Sequence, residues 1–433
     1  MTIPYFKPNT IYCGDCKDVL AKFPSECVHL IYIDPPFFSN KKYEVIWRDG
    51  YEIRAFEDRW KGGINHYITW MEERLRECHR VLKKTGTLYL HCDWKAVHYL
   101  KVMLDGLFGR KNFRNEIIWN HQILGQAHSR AFPKAHEHLL RYSKTDEFLF
   151  NIDDPALRLP YSESILKALK KDEKGYYYTR GRATRQVTEA ERARGAYTRT
   201  YIDASKGKLI GDVWSDLPFY QPKGKEKLGY PTQKPEILLE RIIRASSNPT
   251  DLVLDPMCGC GTAIVVAHKL GRQWVGIDVS PTACNLMANR MRKLHVSPNL
   301  MGMPMSEEDL RKLQPFEFQN WVVQRLFGRV SERKSSDMGI DGSTFEGVPI
   351  QVKQSDDVGR NVIDNFETAI RRRKQTKGII VAFSFGSGAY EEIARAKLHD
   401  NIEIKAITIK ELLKNQNQQS NYTQIPKADQ QHF

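Results

Sequence analysis

Along the first 300 residues, short apolar runs alternate with stretches in which apolar residues recur at helical spacing. Four runs are typical of buried strands: 29–33, 87–91, 252–255 and 274–277. Three stretches predict helices: 71–82, 97–107 and 263–270. This alternation predicts the α/β class, with a doubly wound, mainly parallel sheet whose ligand sites lie at the carboxyl ends of its strands.

A second series of elements begins after a segment rich in proline and glycine near residues 296–304. The predicted elements are a helix at 316–327, two adjacent strands within 336–354, a helix at 362–373, a strand at 378–385 and a helix at 389–398. The expected boundaries are a first domain at 1–297, a linker at 298–305, a smaller α/β domain at 306–414 and a loose tail at 415–433. We expect the two domains to fold independently.

The first candidate site follows the apolar run at 29–33 and reads Asp34-Pro35-Pro36-Phe37. The two prolines restrict the backbone and leave the Asp34 side chain and the Asp34 and Pro35 carbonyls facing outward together. A compact cluster of acceptors beside an aromatic ring suits the exocyclic amino group of a nucleic-acid base. The alternative is a turn that ends a strand, with Phe37 packed in the core.

The second candidate site is a glycine loop between a predicted strand and a predicted helix. Asp255 and Pro256 open the loop, Gly259 and Gly261 lie within it, and Thr262 begins the helix. Asp278 ends the next strand, close to the spacing at which an acid reaches a ribose hydroxyl. A third glycine and a Lys-Ser/Thr pair are both missing from this loop, so a pyrophosphate or triphosphate is disfavoured. S-adenosyl-L-methionine fits better.

In this order the two sites resemble those of beta-class DNA amino-methyltransferases, in which D-P-P-F precedes the cofactor loop. Three further stretches carry the same resemblance: 88–101, 115–119 and 229–235. Together the matching segments span about residues 10–295. The resemblance implies a Rossmann-like sheet that uses S-adenosyl-L-methionine, with an inserted target-recognition region at about 153–229.

The resemblance also implies residue roles. Asp34, Pro35, Pro36 and Phe37 would be catalytic, with Asp34 and the Pro35 carbonyl accepting the amine hydrogens. Phe37, together with Trp119, would stack on a base that has left the duplex. The implied cofactor-binding residues are Asp255, Pro256, Gly259, Gly261, Thr262, Asp278 and Lys234. D-P-P favours adenine N6 as the acceptor, and cytosine N4 is the alternative.

The second domain carries a candidate nuclease site. Asp341 can meet Gln351 and Lys353 from a neighbouring strand, and residues two apart on a strand face the same side. The segment 316–412 resembles Mrr-type restriction endonucleases of the PD-(D/E)xK group. That resemblance implies Mg²⁺ at Asp341 and Gln351, Lys353 beside the attacking water, Glu317 in support, and a type II-like deoxyribonuclease. The alternative is a module that only binds DNA, because Gln351 brings no charge to a metal.

Composition agrees with a nucleic-acid partner. The 433 residues include 66 Lys and Arg against 52 Asp and Glu, a net charge of +14, and basic residues interleave with tyrosines at 153–229. The expected partner is double-stranded DNA, with a second copy of the chain as a further candidate. Apolar stretches are too short for a membrane span, so we expect a cytoplasmic protein with reduced cysteines. Cys13 and Cys16 have metal-like spacing but no second pair, which favours buried thiols over zinc.

Overall fold

The computed structural model describes residues 5–37, 42–46, 52–57, 63–120, 132–179, 190, 199–217, 233–326, 328–330 and 339–419. Residues 229–232 of the 229–235 stretch, all five arginines at 180–194 and the end of the predicted tail lie outside these ranges. No helix among the described residues has the length and apolar character needed to cross a membrane.

Sixteen described strands lie in the first 301 residues. They are β1 (Thr10–Cys13), β2 (Val28–Ile33), β3 (Lys42–Ile46), β4 (Glu52–Glu57), β5 (Leu82–Cys92), β6 (Phe113–Asn120), β7 (His136–Ser143), β8 (Arg158–Leu159), β9 (Lys170–Asp172), β10 (Gly175–Thr179), β11 (Arg199–Tyr201), β12 (Lys208–Leu209), β13 (Val213–Trp214), β14 (Leu252–Asp255), β15 (Gln273–Asp278) and β16 (Asn299–Met301). Nine of them form one sheet, in the order β13-β6-β7-β5-β2-β14-β15-β1-β16. Within it β7 alone runs antiparallel to its neighbours.

Helices cover both faces of this sheet, which confirms the predicted doubly wound arrangement. They are α1 (Cys16–Leu20), α2 (Gly63–Val81) and α3 (Val97–Leu104) on one face and, apart from α4 (Glu163–Lys167), which buries no residue, α5 (Glu236–Ser246), α6 (Thr262–Lys269) and α7 (Pro281–Lys293) on the other. The strand β2 shows how the faces are divided. Ile31 and Ile33 pack with α1, α2 and α3, whereas Leu30 and Tyr32 pack with α5, α6 and α7.

The sheet order brings the candidate residues of the first domain to one edge. The strands β2, β14 and β15 are neighbours and run parallel. Asp34 follows β2, Asp255 ends β14 and Asp278 ends β15. Three segments that are far apart in sequence therefore place carboxylates side by side at the carboxyl edge of the sheet.

The predicted linker begins within the first sheet. Its residues Asn299–Met301 form β16, which pairs in parallel with Thr10–Tyr12 of β1. The proline and glycine content hid this short strand, because an edge strand needs hydrogen-bond partners on one side only. The irregular part of the connection therefore starts after Met301.

The second sheet is smaller. Its strands are β17 (Gly328–Val330), β18 (Gly342–Thr344), β19 (Pro349–Val352), β20 (Lys377–Ala382) and β21 (Glu403–Thr408), in chain order across the sheet. Its helices are α8 (Glu307–Lys312), α9 (Pro315–Arg325), α10 (Arg360–Arg372), α11 (Ser387–Asp400) and α12 (Ile409–Gln419). The last helix extends to Gln419 and so enters the predicted tail.

One apolar cluster joins the two sheets. Cys260 of the glycine loop and Leu286 of α7 are buried with Phe318 and Trp321 of α9. Asn285 Nδ2 also donates to Gln324 Oε1 across this boundary, over 3.5 Å. The second sheet therefore packs directly behind the glycine loop of the first.

Candidate active sites

A cleft opens at the carboxyl edge of the first sheet and encloses about 1110 Å³, including its open mouth. Predicted residues that line it are Asp34, Pro35, Pro36, Phe37, Lys234, Asp255, Pro256, Gly259, Thr262 and Asp278. Gly261 does not line the cleft. The two candidate sites of the first domain therefore form one cavity.

Asp34 and Phe37 face this cavity from the end of β2. Asp34 and Phe37 are half-buried, whereas Pro35 is buried. Trp119 does not join them as a stacking surface. Its side chain is 2% exposed and packs in the core, with its ring 5.8 Å from the imidazole of His91.

The glycine loop is held by the carboxylates on either side of it. Asp255 Oδ1 accepts from the Met257 amide, and Asp278 Oδ2 accepts from the Gly259 amide over 2.8 Å. Gly261 has a left-handed φ of 82°, and a Cβ there would lie 2.8 Å from Met287 Cγ. Glycine is required at this position for packing and backbone conformation, although it does not contact the cavity.

Burial makes these carboxyl groups weak acids. It raises the pKa of Asp255 well above its ordinary value, with repulsion from Asp34 and Asp278 adding to the shift. Burial likewise raises the pKa of Asp278 to about 6, against the lowering effect of the Ser280 and Gly259 amides. Both groups line the cleft, and a carboxylate oxygen can accept more than one hydrogen bond, as a ligand with hydroxyl and ammonium groups requires.

The inserted region contains a small antiparallel sheet of β9, β10 and β11. Tyr176 and Tyr201 are 48% and 40% exposed. Asp172 accepts from the Tyr201 hydroxyl and from Arg199 over 2.8 Å each, which fixes one face of this sheet. Exposed rings beside lysines and arginines are suited to nucleic acid.

In the second sheet Asp341 and Lys353 lie near one another, at the start of β18 and the end of β19. Asp341 Oδ2 accepts from the Val352 amide over 2.7 Å. Burial raises the pKa of Asp341 to about 6, while Lys353 opposes the shift. Gln351 is 2% exposed, and its Oε1 has no hydrogen-bond partner among the described residues.

Glu317 lies in a different place. It is buried in α9, and its Oε2 accepts from the Thr282 hydroxyl of α7 over 3.3 Å. Burial raises the pKa of Glu317 to about 7, although the Ser280 hydroxyl lowers it. The described contacts thus place this carboxylate at the boundary between the two sheets, behind Asp278.

The Asp341 group fits a hard cation. It offers a carboxylate and the unpartnered amide oxygen of Gln351, which are the oxygen donors that Mg²⁺ prefers. A second acidic cluster, of Asp364, Glu367 and Glu392, also has metal-like spacing. Arg371 and Arg395 pair with Glu367, and Arg395 also pairs with Glu392, so arginines already supply positive charge there.

Comparison with known proteins identifies both parts of the chain. Residues 28–289 match the family model described as DNA methylase, and residues 310–415 match the one described as restriction endonuclease. The chain belongs to the DNA methylase family. Its resemblance to amino-methyltransferases is confirmed, and the protein is a DNA amino-methyltransferase with a restriction-endonuclease-like domain.

Two curated relatives illustrate this membership. The DNA adenine methyltransferase YhdJ of Escherichia coli (strain K12) is 30% identical over 306 residues, which cover 70% of this chain and 88% of that protein. The type II methyltransferase M.HinfI of Haemophilus influenzae is 28% identical over 302 residues, covering 67% of this chain and 70% of that one. A solved DNA modification methylase from Thermus thermophilus aligns at 20% identity and a TM-score of 0.41, over 69% of this chain and 99% of its own.

Sequence reasoning missed several residues of this methyltransferase. Glu137 of β7 and His91 of β5 lie behind Asp34, and no spacing rule links them to it. Arg74 and Trp70 of α2 line the cleft, where the guanidinium stacks 3.8 Å from the Trp70 ring and pairs with Asp15. The sequence signal in α2 is its apolar periodicity, which predicts a helix packed in the core and does not indicate a cleft.

Proposed function

We propose that this DNA methyltransferase transfers a methyl group from S-adenosyl-L-methionine to adenine N6 in double-stranded DNA. The observation that carries the proposal is the single cleft that Asp34, Asp255 and Asp278 share. The hydrogen-bond acceptors proposed for the base amine and those proposed for the cofactor therefore lie within one cavity. The D-P-P sequence and the adenine specificity in the name of the Escherichia coli relative favour adenine over cytosine N4.

The exocyclic nitrogen of adenine is a poor nucleophile, because its lone pair is shared with the ring. Asp34 and the Pro35 carbonyl would accept its two hydrogens and so stabilise positive charge as it develops on nitrogen. Phe37 would stack on the flipped base. The nitrogen–methyl bond would form in line as the carbon–sulfur bond of the sulfonium breaks and a neutral thioether leaves, and the methylated nitrogen would then lose one hydrogen as a proton. No covalent bond to the enzyme is needed.

The cofactor supplies an electrophilic methyl group on a sulfonium. Asp278 would accept the ribose hydroxyls, while Asp255 and the loop from Pro256 to Thr262 would hold the methionyl end. Gly259 would let the backbone approach the ligand, and Gly261 would support the loop from behind. The exposed tyrosines and basic residues of the sheet formed by β9, β10 and β11 would contact DNA. The protein would act in the cytoplasm, as a monomer or as a homodimer.

We further infer that the second domain is an Mg²⁺-dependent endonuclease. Asp341 and Gln351 would hold the ion, and Lys353 would stabilise the attacking water or the charge on phosphate. A module that only binds DNA is the second candidate, and the neutral side chain of Gln351 favours it.

The test uses the full chain, plasmid DNA of mixed sequence and labelled S-adenosyl-L-methionine. Nucleoside mass spectrometry should find N6-methyladenine, and N4-methylcytosine in its place would refute the adenine assignment. With Mg²⁺, unmodified plasmid should be cut and premethylated plasmid should resist. Asp341→Ala should abolish cutting but not methylation, with Glu346→Ala, an exposed acid of the same domain, as the control. Intact plasmid in all Mg²⁺ and Mn²⁺ conditions would favour the binding module.

A further inference from the structure

A series of buried polar groups lies behind Asp34. Lys234 Nζ is 3.3 Å from Asp34 Oδ2 and 3.5 Å from Glu137 Oε2. The same Glu137 oxygen lies 2.7 Å from His91 Nε2. With the His91 proton on Nε2, facing this carboxylate, the Tyr32 hydroxyl donates to Nδ1 over 2.8 Å. Four separate segments of the chain therefore meet behind one carboxylate.

Lys234 is a buried cation within this series. Its side chain is 11% exposed. Burial alone lowers the pKa of Lys234, but the carboxylates of Asp34 and Glu137 outweigh burial, and the net shift is upward. The ammonium also lies 4.5 Å from the centre of the Phe37 ring, within cation–π distance. One positive charge thus contacts both the acceptor carboxylate and the aromatic ring.

Asp34 depends on such a cation because acids surround it. Asp255 lines the same cleft and Glu137 lies beside Lys234, and repulsion between Asp34 and Asp255 adds to the raised pKa of Asp255. The contact of 3.3 Å between Lys234 and Asp34 is to Oδ2, and in the proposed mechanism Oδ1 would accept an amine hydrogen. A carboxylate held in one orientation beside the developing charge is what transition-state stabilisation requires.

We propose that Lys234 is a positioning residue for methyl transfer, which acts through Asp34 and Phe37 and is itself held by Glu137 and His91. The inference rests on the proposed transfer to a base amine at Asp34. It differs from the cofactor role that the sequence resemblance implies for Lys234, because the contacts of its ammonium lead to the base side of the cleft.

The decisive variant is Lys234→Met, with Lys269→Met as the matched control. Lys269 is a half-exposed lysine that pairs with Glu236 on the neighbouring α5. Lys234→Met should slow single-turnover methyl transfer by about 100-fold, as the loss of one preorganised charge does. The Kd for S-adenosyl-L-methionine, measured by calorimetry, should stay within about threefold. Lys269→Met should change neither quantity.

The split between rate and binding separates positioning from a merely structural role. Loss of the cation in Lys234→Met should lower the single-turnover rate at saturating S-adenosyl-L-methionine, whereas a structural defect of the cleft would also weaken the cofactor Kd.

Two further variants keep the inference falsifiable if Lys234→Met does not fold. Lys234→Arg keeps the charge and should recover at least about a tenth of the rate. Glu137→Gln keeps the shape of the side chain and should lower the single-turnover rate of methyl transfer about tenfold.

A weakened cofactor Kd with an unchanged rate at saturation would return Lys234 to the cofactor site and overturn the proposal. A folded Lys234→Arg protein that is as slow as Lys234→Met would also overturn it. A wild-type protein that methylates no base amine would refute the proposed function, whereas normal wild-type transfer with unaffected Lys234 variants would refute this inference alone.

Discussion

Asp34 in the first sheet and Asp341 in the second both lie at a strand end in an α/β fold, but different groups face their carboxylates. Asp34 has the ammonium of Lys234 at 3.3 Å, and further buried groups hold that cation. Asp341 has the Val352 amide and the nearby charge of Lys353, and burial still raises its pKa to about 6. The first site therefore contains its own counter-charge, whereas the second fits a site that gains one on binding a metal.

The largest effect that tests this contrast comes from a chelator. With EDTA in excess over Mg²⁺, DNA cleavage should fall to background, because Asp341 and Gln351 would have no cation to hold. Methyl transfer should proceed unchanged in the same tube, since Lys234 supplies the charge beside Asp34. Both activities can be read from one plasmid by gel and by tritium incorporation. If EDTA lowered DNA cleavage and methyl transfer equally, the contrast between the Asp34 and Asp341 sites would be refuted.

The next largest effect is expected for Asp34→Ala. The variant should lower kcat for methyl transfer by about 1000-fold, because it removes the acceptor for charge developing on the amine. The cofactor Kd should remain within about threefold, since Asp34 is assigned to the base. Asp18→Ala on the exposed side of α1 is the control. Transfer within a few-fold of wild type would take Asp34 out of the mechanism.

The variant Glu317→Gln tests whether the buried glutamate belongs to the nuclease site or to the boundary between the two sheets. A folded-state pKa of about 7, above the ordinary value of 4.5, means that folding disfavours the ionised form. The stability of the wild type should therefore fall relative to the variant as pH rises from 4.5 through 7, by about 3 kcal/mol in total.

Urea titrations of both proteins at pH 5 and pH 8 measure this difference, and Glu308→Gln, an exposed glutamate of α8, is the control. If the variant loses DNA cleavage, and its free energy of unfolding depends on pH as that of the wild type does, Glu317 belongs to the nuclease site and not to the boundary between the sheets.

The smallest effect is expected for Asp278→Ala. The loss of a charge-assisted hydrogen bond should weaken cofactor binding by about 1 to 3 kcal/mol, with little change in cleavage. Because the pKa of Asp278 is about 6, the wild-type Kd should also weaken as pH falls below 6 and the carboxylate takes up a proton. Calorimetry at pH 5.5 and 7.5 tests both statements. An unchanged Kd in the variant would exclude Asp278 from the cofactor site.

The sequence predicted the parts of the fold that depend on local pattern. The strand at 29–33, the glycine loop and Asp278 were all found, because an apolar run and a glycine loop between strand and helix are strong local signals. The sequence could not predict Glu137, which comes to Asp34 through the antiparallel pairing of β7 with β5, a contact between distant segments. It also missed β16, whose three residues are too few for a periodic pattern. The resemblance gave Glu317 a supporting role in the nuclease site, but its carboxylate is buried against Thr282 of the first domain.

The apolar cluster shared by Cys260, Leu286, Phe318 and Trp321 limits how this chain can be divided. A fragment that stopped at Pro304 would present the backs of its glycine loop and of α7 to water, and each uncovered large side chain forgoes about 1.5 to 3 kcal/mol. Such a fragment should aggregate even with every methyl-transfer residue in place. A foreign second domain could replace the present one only if it brought a helix of matching shape.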